Sequence, residues 1–74
     1  MSKKIVMLAD MKTRLQARMN YDDPDSAFDS LLFGFGKFMK FSISWKYNIL
    51  QNGYMSMALA HQFANYVGYP IDQN

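Results

Sequence analysis

The sequence predicts a small, mainly helical α+β domain: three amphipathic helices with one extended segment around residues 41–49. Three observations carry that expectation. Apolar residues recur at intervals of three and four over residues 5–19, 24–39 and 55–67, the period of a helix buried on one side. Pro24, Gly53, Gly68 and Pro70 punctuate those runs where helices start and stop. Between the second and third runs the pattern changes to strict alternation, the period of a strand. The predicted order is helix, helix, extended segment, helix.

In the first run Ile5, Leu8, Met11, Leu15 and Met19 form the apolar stripe, with Met7 at its edge and Thr13, Arg14 and Gln16 elsewhere. From Ala9 onward the residues are good helix formers, whereas the opening KKIVML also fits a short strand. Arg14 and Arg18 are like charges four residues apart, an arrangement that an anion or an aspartate would relieve.

The second helix starts at Pro24. Proline disfavours helical geometry at Asp23 and presets its own φ for a first helical position. Asp23 can then act as N-cap, and Asp25 falls in the first turn, where the helix dipole favours its charge. Ala27, Phe28, Leu31, Leu32, Phe35, Phe38 and Met39 cover one arc of the wheel, and Phe33 is stranded on the polar side.

Alternation begins at Phe33 and collects Phe35, Met39, Phe41, Ile43, Trp45, Tyr47 and Ile49 on one side. Gly34 and Gly36 together would cost a helix interior about 2 kcal/mol, which also favours a strand. One strand over 33–49 would exceed ordinary strand lengths, so the helix is expected to reach about Met39 and the extended segment to occupy 41–49. Its backbone needs a partner, either the 4–8 segment or the same strand of a second copy. Asn52-Gly53 marks a turn, and Met55, Leu59, Ala60, Phe63, Tyr66 and Val67 then make one helical face that Gly68 and Pro70 end. The expected core centres on Phe28, Leu31, Phe35, Leu59 and Phe63.

Seventy-four residues make one domain near the lower limit for a stable core, and no cysteine is available as staple, metal ligand or nucleophile. The net charge is +2, unevenly placed. Residues 1–20 hold five bases against Asp10. Residues 21–36 hold Asp22, Asp23, Asp25 and Asp29 with no base. The two segments could meet in one polar seam. Residues 47–71 have no formally charged side chain unless His61 is protonated, so this stretch must sit against something. The charged start MSKK is followed by an apolar run that stops at Asp10, too short for a targeting core, and no stretch suits a membrane span. A cytoplasmic protein is expected.

Several chemistries are weighed and set aside. Residues 33–41 are similar to the glycine–aromatic strand of RNA-recognition domains, but Phe33, Lys37 and Lys40 stand where that pattern wants a base, an aromatic and an aromatic. Gly34-x-Gly36-Lys37 lacks the longer glycine run and the following Ser or Thr of a phosphate-binding loop, and Met39 stands where a dinucleotide fingerprint needs its third glycine. The four aspartates enclose Pro24 and have no closing glutamate, unlike a calcium loop. His61 and Ser56, five apart on a helix, do not face one another as base and nucleophile. The expectation is therefore no enzyme, no cofactor, no metal and no small-molecule substrate.

The six Phe, five Tyr and one Trp exceed what so short a chain can enclose. A surplus of rings with neighbouring lysines suits protein binding. The expected function is a non-catalytic protein–protein interaction module that forms a homodimer or acts as a small inhibitor or adaptor of a larger protein. Small phage and mobile-element proteins often work this way. The expected binding residues are Phe33, Trp45, Tyr47, Tyr54 and Tyr69, with Lys37, Lys40 and Lys46 steering toward an acidic surface. The alternative is a nucleic-acid-binding accessory protein using Arg14, Arg18, Lys37, Lys40 and Lys46.

Overall fold

The computed structural model describes residues 4–20 and 22–68. Its elements run β1 (Ile5–Met7), α1 (Leu8–Met19), α2 (Pro24–Phe38), α3 (Trp45–Asn52), β2 (Tyr54–Ser56) and α4 (Met57–Val67). The chain is mainly helical with one small antiparallel sheet, in keeping with the class that the periodicities predict. Two details of that expectation are corrected. Four helices are described rather than three, and the extended segment is not at 41–49.

The strand signal at 41–49 fails because the backbone found a better partner within itself. Residues 45–52 form α3, in which Ile49 is buried and Trp45 and Leu50 are half-buried. Tyr47 and Ile43, which the alternation placed on the same side as Ile49, are exposed. The strand that exists is β1, the KKIVML alternative to an early helix, and its mate is β2. They pair Ile5 with Ser56, Val6 with Met55 and Met7 with Tyr54. The amide of Leu8 donates to the Gly53 carbonyl at 3.0 Å and that of Met57 to the Lys4 carbonyl at 2.8 Å, closing both ends. Met55 and Val6 point inward, leaving Ile5, Met7 and Tyr54 on the outer face.

Punctuation behaves as its chemistry dictates. Asp23 caps α2, its carboxylate accepting from the Ser26 amide at 3.3 Å and from the Ser26 hydroxyl at 2.8 Å. Gly53 and Gly68 end α3 and α4 with φ of 81° and 98°, each in the left-handed region that glycine enters freely. Lys40 ends α2 in the same region at φ 61°. The Phe41 amide reaches back to the Gly36 carbonyl at 2.9 Å, and the Phe41 ring packs 6.1 Å from that of Phe35. Those are the hydrogen bond and the apolar contact of a Schellman ending, built without glycine.

The core draws Leu8, Met11 and Leu15 from α1, Phe28, Leu32 and Phe35 from α2, Ile49 from α3, Met55 from β2, and Ala60, Phe63 and Ala64 from α4. Of the five expected core residues, Phe28, Phe35 and Phe63 are fully buried, while Leu31 and Leu59 pack around them half-buried. Phe35 is the hub. Its ring meets those of Phe41, Trp45, Phe63 and Tyr66 at 5.3–6.1 Å between centroids. Phe38, expected on the apolar arc, is instead 68% exposed. It lies in the last turn of α2, about 80° around the helix from the Phe28–Leu32–Phe35 stripe, with its ring 5.4 Å from that of Tyr66.

Candidate protein-binding groove

One flank of α2 presents Asp25, Asp29, Phe33, Gly36 and Lys37, spaced by three and four so that they share a side. The start of α3 and the loop before it lie along the later part of this flank. Gly36 makes the approach close. A β-carbon there would stand 3.1 Å from the Trp45 ring, closer than such contacts normally come. Trp45 is held from other sides by Phe35 at 5.9 Å and Phe41 at 4.8 Å.

Next to Trp45, Lys46 ties α3 to α2. Its ammonium is 3.2 Å from Asp29, 5.4 Å from the centre of the Phe33 ring and 4.8 Å from that of Tyr47. Its side chain is 13% exposed. Attraction to one carboxylate and two ring faces offsets the loss of water around the charge. Between these groups lies a groove of about 340 Å³ lined by Phe33, Gly36, Lys37, Phe41, Ser42, Ile43, Trp45 and Lys46. Ile43, in the loop between α2 and α3, is 93% exposed at its rim.

The structure brings together Phe33, Trp45, Lys37 and Lys46 of the expected binding set. Tyr47 stands just outside, against Lys46. Lys40 is exposed at the left-handed turn after α2, next in sequence to Phe41, but does not line the groove. Tyr54 is not part of this surface, since it lies on the outer face of the sheet opposite Met7. Tyr69 lies outside the described residues. Sequence reasoning missed Phe41 and Ile43, which it counted in the same alternating set as Trp45 and Tyr47 without assigning them to the binding surface. The signal that could have found Ile43 is its setting between Ser42 and Ser44, an apolar side chain in a serine-flanked loop.

Of the residues of the nucleic-acid alternative, Lys37 and Lys46 line the groove. Arg14 and Arg18 are on α1 and line no part of the groove. Lys12 faces α2, pairing with Asp25 at 3.3 Å, and Arg14 lies about 200° around α1 from it. The ion pair Lys12–Asp25 joins the basic start to the acidic segment, as the opposite charges suggest, whereas Lys46–Asp29 brings in a base from beyond that start. Asp23 is occupied as a cap, and the two Ser26 hydrogen bonds hold its carboxyl below the ordinary aspartate value. Ser56 is likewise an N-cap, its hydroxyl accepting from the Leu59 amide at 3.2 Å. Among the described residues no cluster of three or more His, Cys, Asp or Glu is placed to hold a metal ion.

A smaller apolar area sits on the other side of α2. There Phe38 and Tyr66 are 5.4 Å apart beside a groove of about 310 Å³ that Met39, Gln62 and Asn65 also line. Among the described residues no helix is long and apolar enough to cross a membrane. No family model matches the chain, and searches of the curated proteins and of the solved structures return no match.

Proposed function

We propose that the chain is a non-catalytic protein-binding module that acts on a larger protein as a small inhibitor or adaptor, docking it through the groove between α2 and α3. The observation that supports this is the combination at one place of an open apolar groove, a fully presented Ile43 and exposed Phe33 and Tyr47. Leaving such groups in water has a cost that a partner would remove. The cytoplasm is the setting in which we place this activity.

A second copy is a poorer occupant of this face. A two-fold pair through this patch would gather the Lys37 and Lys40 ammonium groups of both copies into one interface. Like charges opposed across an interface disfavour it. Nucleic acid is also less well served, because Arg14 and Arg18 are not on the groove.

A photo-crosslinking side chain at Ile43, expressed in the source cell, tests the proposal. The expected result is a discrete adduct to a heterologous protein, retained at high salt and lost on Trp45→Ala. Adducts confined to a second copy, or to DNA or RNA, would replace the proposal with a homodimer or with the nucleic-acid reading.

A further inference from the structure

The lysines at the groove have unequal roles. Lys46 has its charge met by Asp29 and its ammonium over the rings of Phe33 and Tyr47, so it holds the wall of the groove in shape. Lys37 is exposed, lies 5.5 Å from the face of Phe33, and has no carboxylate partner among the described residues. Lys40, exposed three residues later, has none either. Between residues 30 and 68 the chain contains no Asp or Glu at all. An apolar groove thus opens beside an uncompensated cation, and the nearby Asp29 carboxylate is paired with Lys46.

Size narrows the occupant. At about 340 Å³ the groove is at the small end of ligand sites, roughly 300–1,000 Å³, and accommodates one or two bulky side chains. A broad folded surface would touch only the rim. A duplex or single strand is best met by a track of several free cations, and here the free cations are Lys37 and Lys40.

We propose that the groove takes an acidic linear segment of the partner: one bulky apolar side chain enters between Phe33, Phe41 and Trp45, and a carboxylate nearby on the same segment pairs with Lys37. This rests on the protein-docking reading above and adds to it the chemistry of the occupant. Lys37 sets the preference for acid, and Lys46 is a positioning residue that keeps Phe33 and Tyr47 in place.

Trp45 is the single tryptophan and lines the groove, so its emission reports occupancy in the intact chain. The probes are capped hexapeptides with a leucine–phenylalanine centre flanked by aspartates, by asparagines or by lysines, together with an oligothymidylate. The aspartate peptide should shift Trp45 emission and bind about two- to five-fold more tightly than the asparagine peptide at low salt, the effect of one exposed ion pair. Added salt should shrink that ratio toward one. Lys37→Gln should abolish the preference, bringing the affinities of the aspartate and asparagine peptides together. Lys46→Met, verified as folded by circular dichroism, should weaken both peptides alike.

Equal binding of the aspartate and asparagine peptides would overturn the acidic occupant and leave the docking groove standing. Tighter binding of the lysine peptide would overturn the assignment of Lys37. Were the oligothymidylate alone to move Trp45 emission, both the acidic segment and the protein-docking reading would fall.

Discussion

Gly34 and Gly36 lie in the interior of α2, where each is disfavoured relative to alanine by roughly 1 kcal/mol. Each one leaves room for a ring. A β-carbon at Gly34 would stand 2.7 Å from the Tyr66 hydroxyl, and one at Gly36 would stand 3.1 and 3.3 Å from two carbons of the Trp45 ring. The two sites differ in what can give way. The Tyr66 hydroxyl is the far end of an exposed side chain and can swing aside. The Trp45 ring is wedged between Phe35 and Phe41 and cannot move without disturbing the hub. Gly34→Ala should therefore be neutral or stabilising by up to about 1 kcal/mol, the helix gain prevailing. Gly36→Ala should destabilise by about 1–2 kcal/mol and shift Trp45 emission to the red, as overpacking displaces the ring. Urea titrations of both variants, followed by fluorescence, check the contrast. A strand-like pair of glycines in the sequence thus reads in the structure as two seats for aromatic rings.

At the scale of elements, the caps were the legible part. Asp23-Pro24 places the start of α2 and Gly68 the end of α4, because each acts through its own φ or its own side chain and needs no distant partner. The cap on α2 also carries a pH dependence. Hydrogen bonds from Ser26 lower the Asp23 carboxyl in the folded chain, so folding favours its ionised form. That contribution is complete above the unfolded value of about 4 and is lost as pH falls through the lower folded one. Asp23→Asn should leave the urea midpoint near neutral pH almost unchanged, since asparagine caps about as well. It should also remove part of the decline in stability below about pH 4, which midpoints measured across that range for both proteins would show. The element that local reasoning misplaced is α3. Over eight residues, the Trp45–Ile49 and Lys46–Leu50 spacings of a helix coexist with an alternation that suits a strand. So short a stretch does not decide between them.

For the molecule as a whole, the decision rests on Phe35. The ring joins α2 to the 41–45 region on one side and to α4 on the other. Removing a buried phenylalanine ring costs about 3–5 kcal/mol. A chain of this size has a total stability of roughly 4–11 kcal/mol. Phe35→Ala should accordingly lose most of its cooperative unfolding transition in urea, whereas Phe38→Ala, on the exposed side of the same helix, should change the unfolding free energy by less than about 1 kcal/mol. The same distinction governs what could be read in advance. By themselves the residues determined a mainly helical chain, the punctuation at Asp23-Pro24, Gly53 and Gly68, the buried Phe28, Phe35 and Phe63, and an outward Phe33 with lysines nearby. Those follow from periodicity and from backbone preferences that operate within a few residues. Only tertiary structure decided that β1 takes β2 as its mate, that residues 45–52 coil into a helix, and that Trp45 rests on Gly36 to open a groove under Ile43. Each of these depends on which distant surface is available to complete a hydrogen-bond ladder or to receive a ring, and neither period nor propensity contains that information.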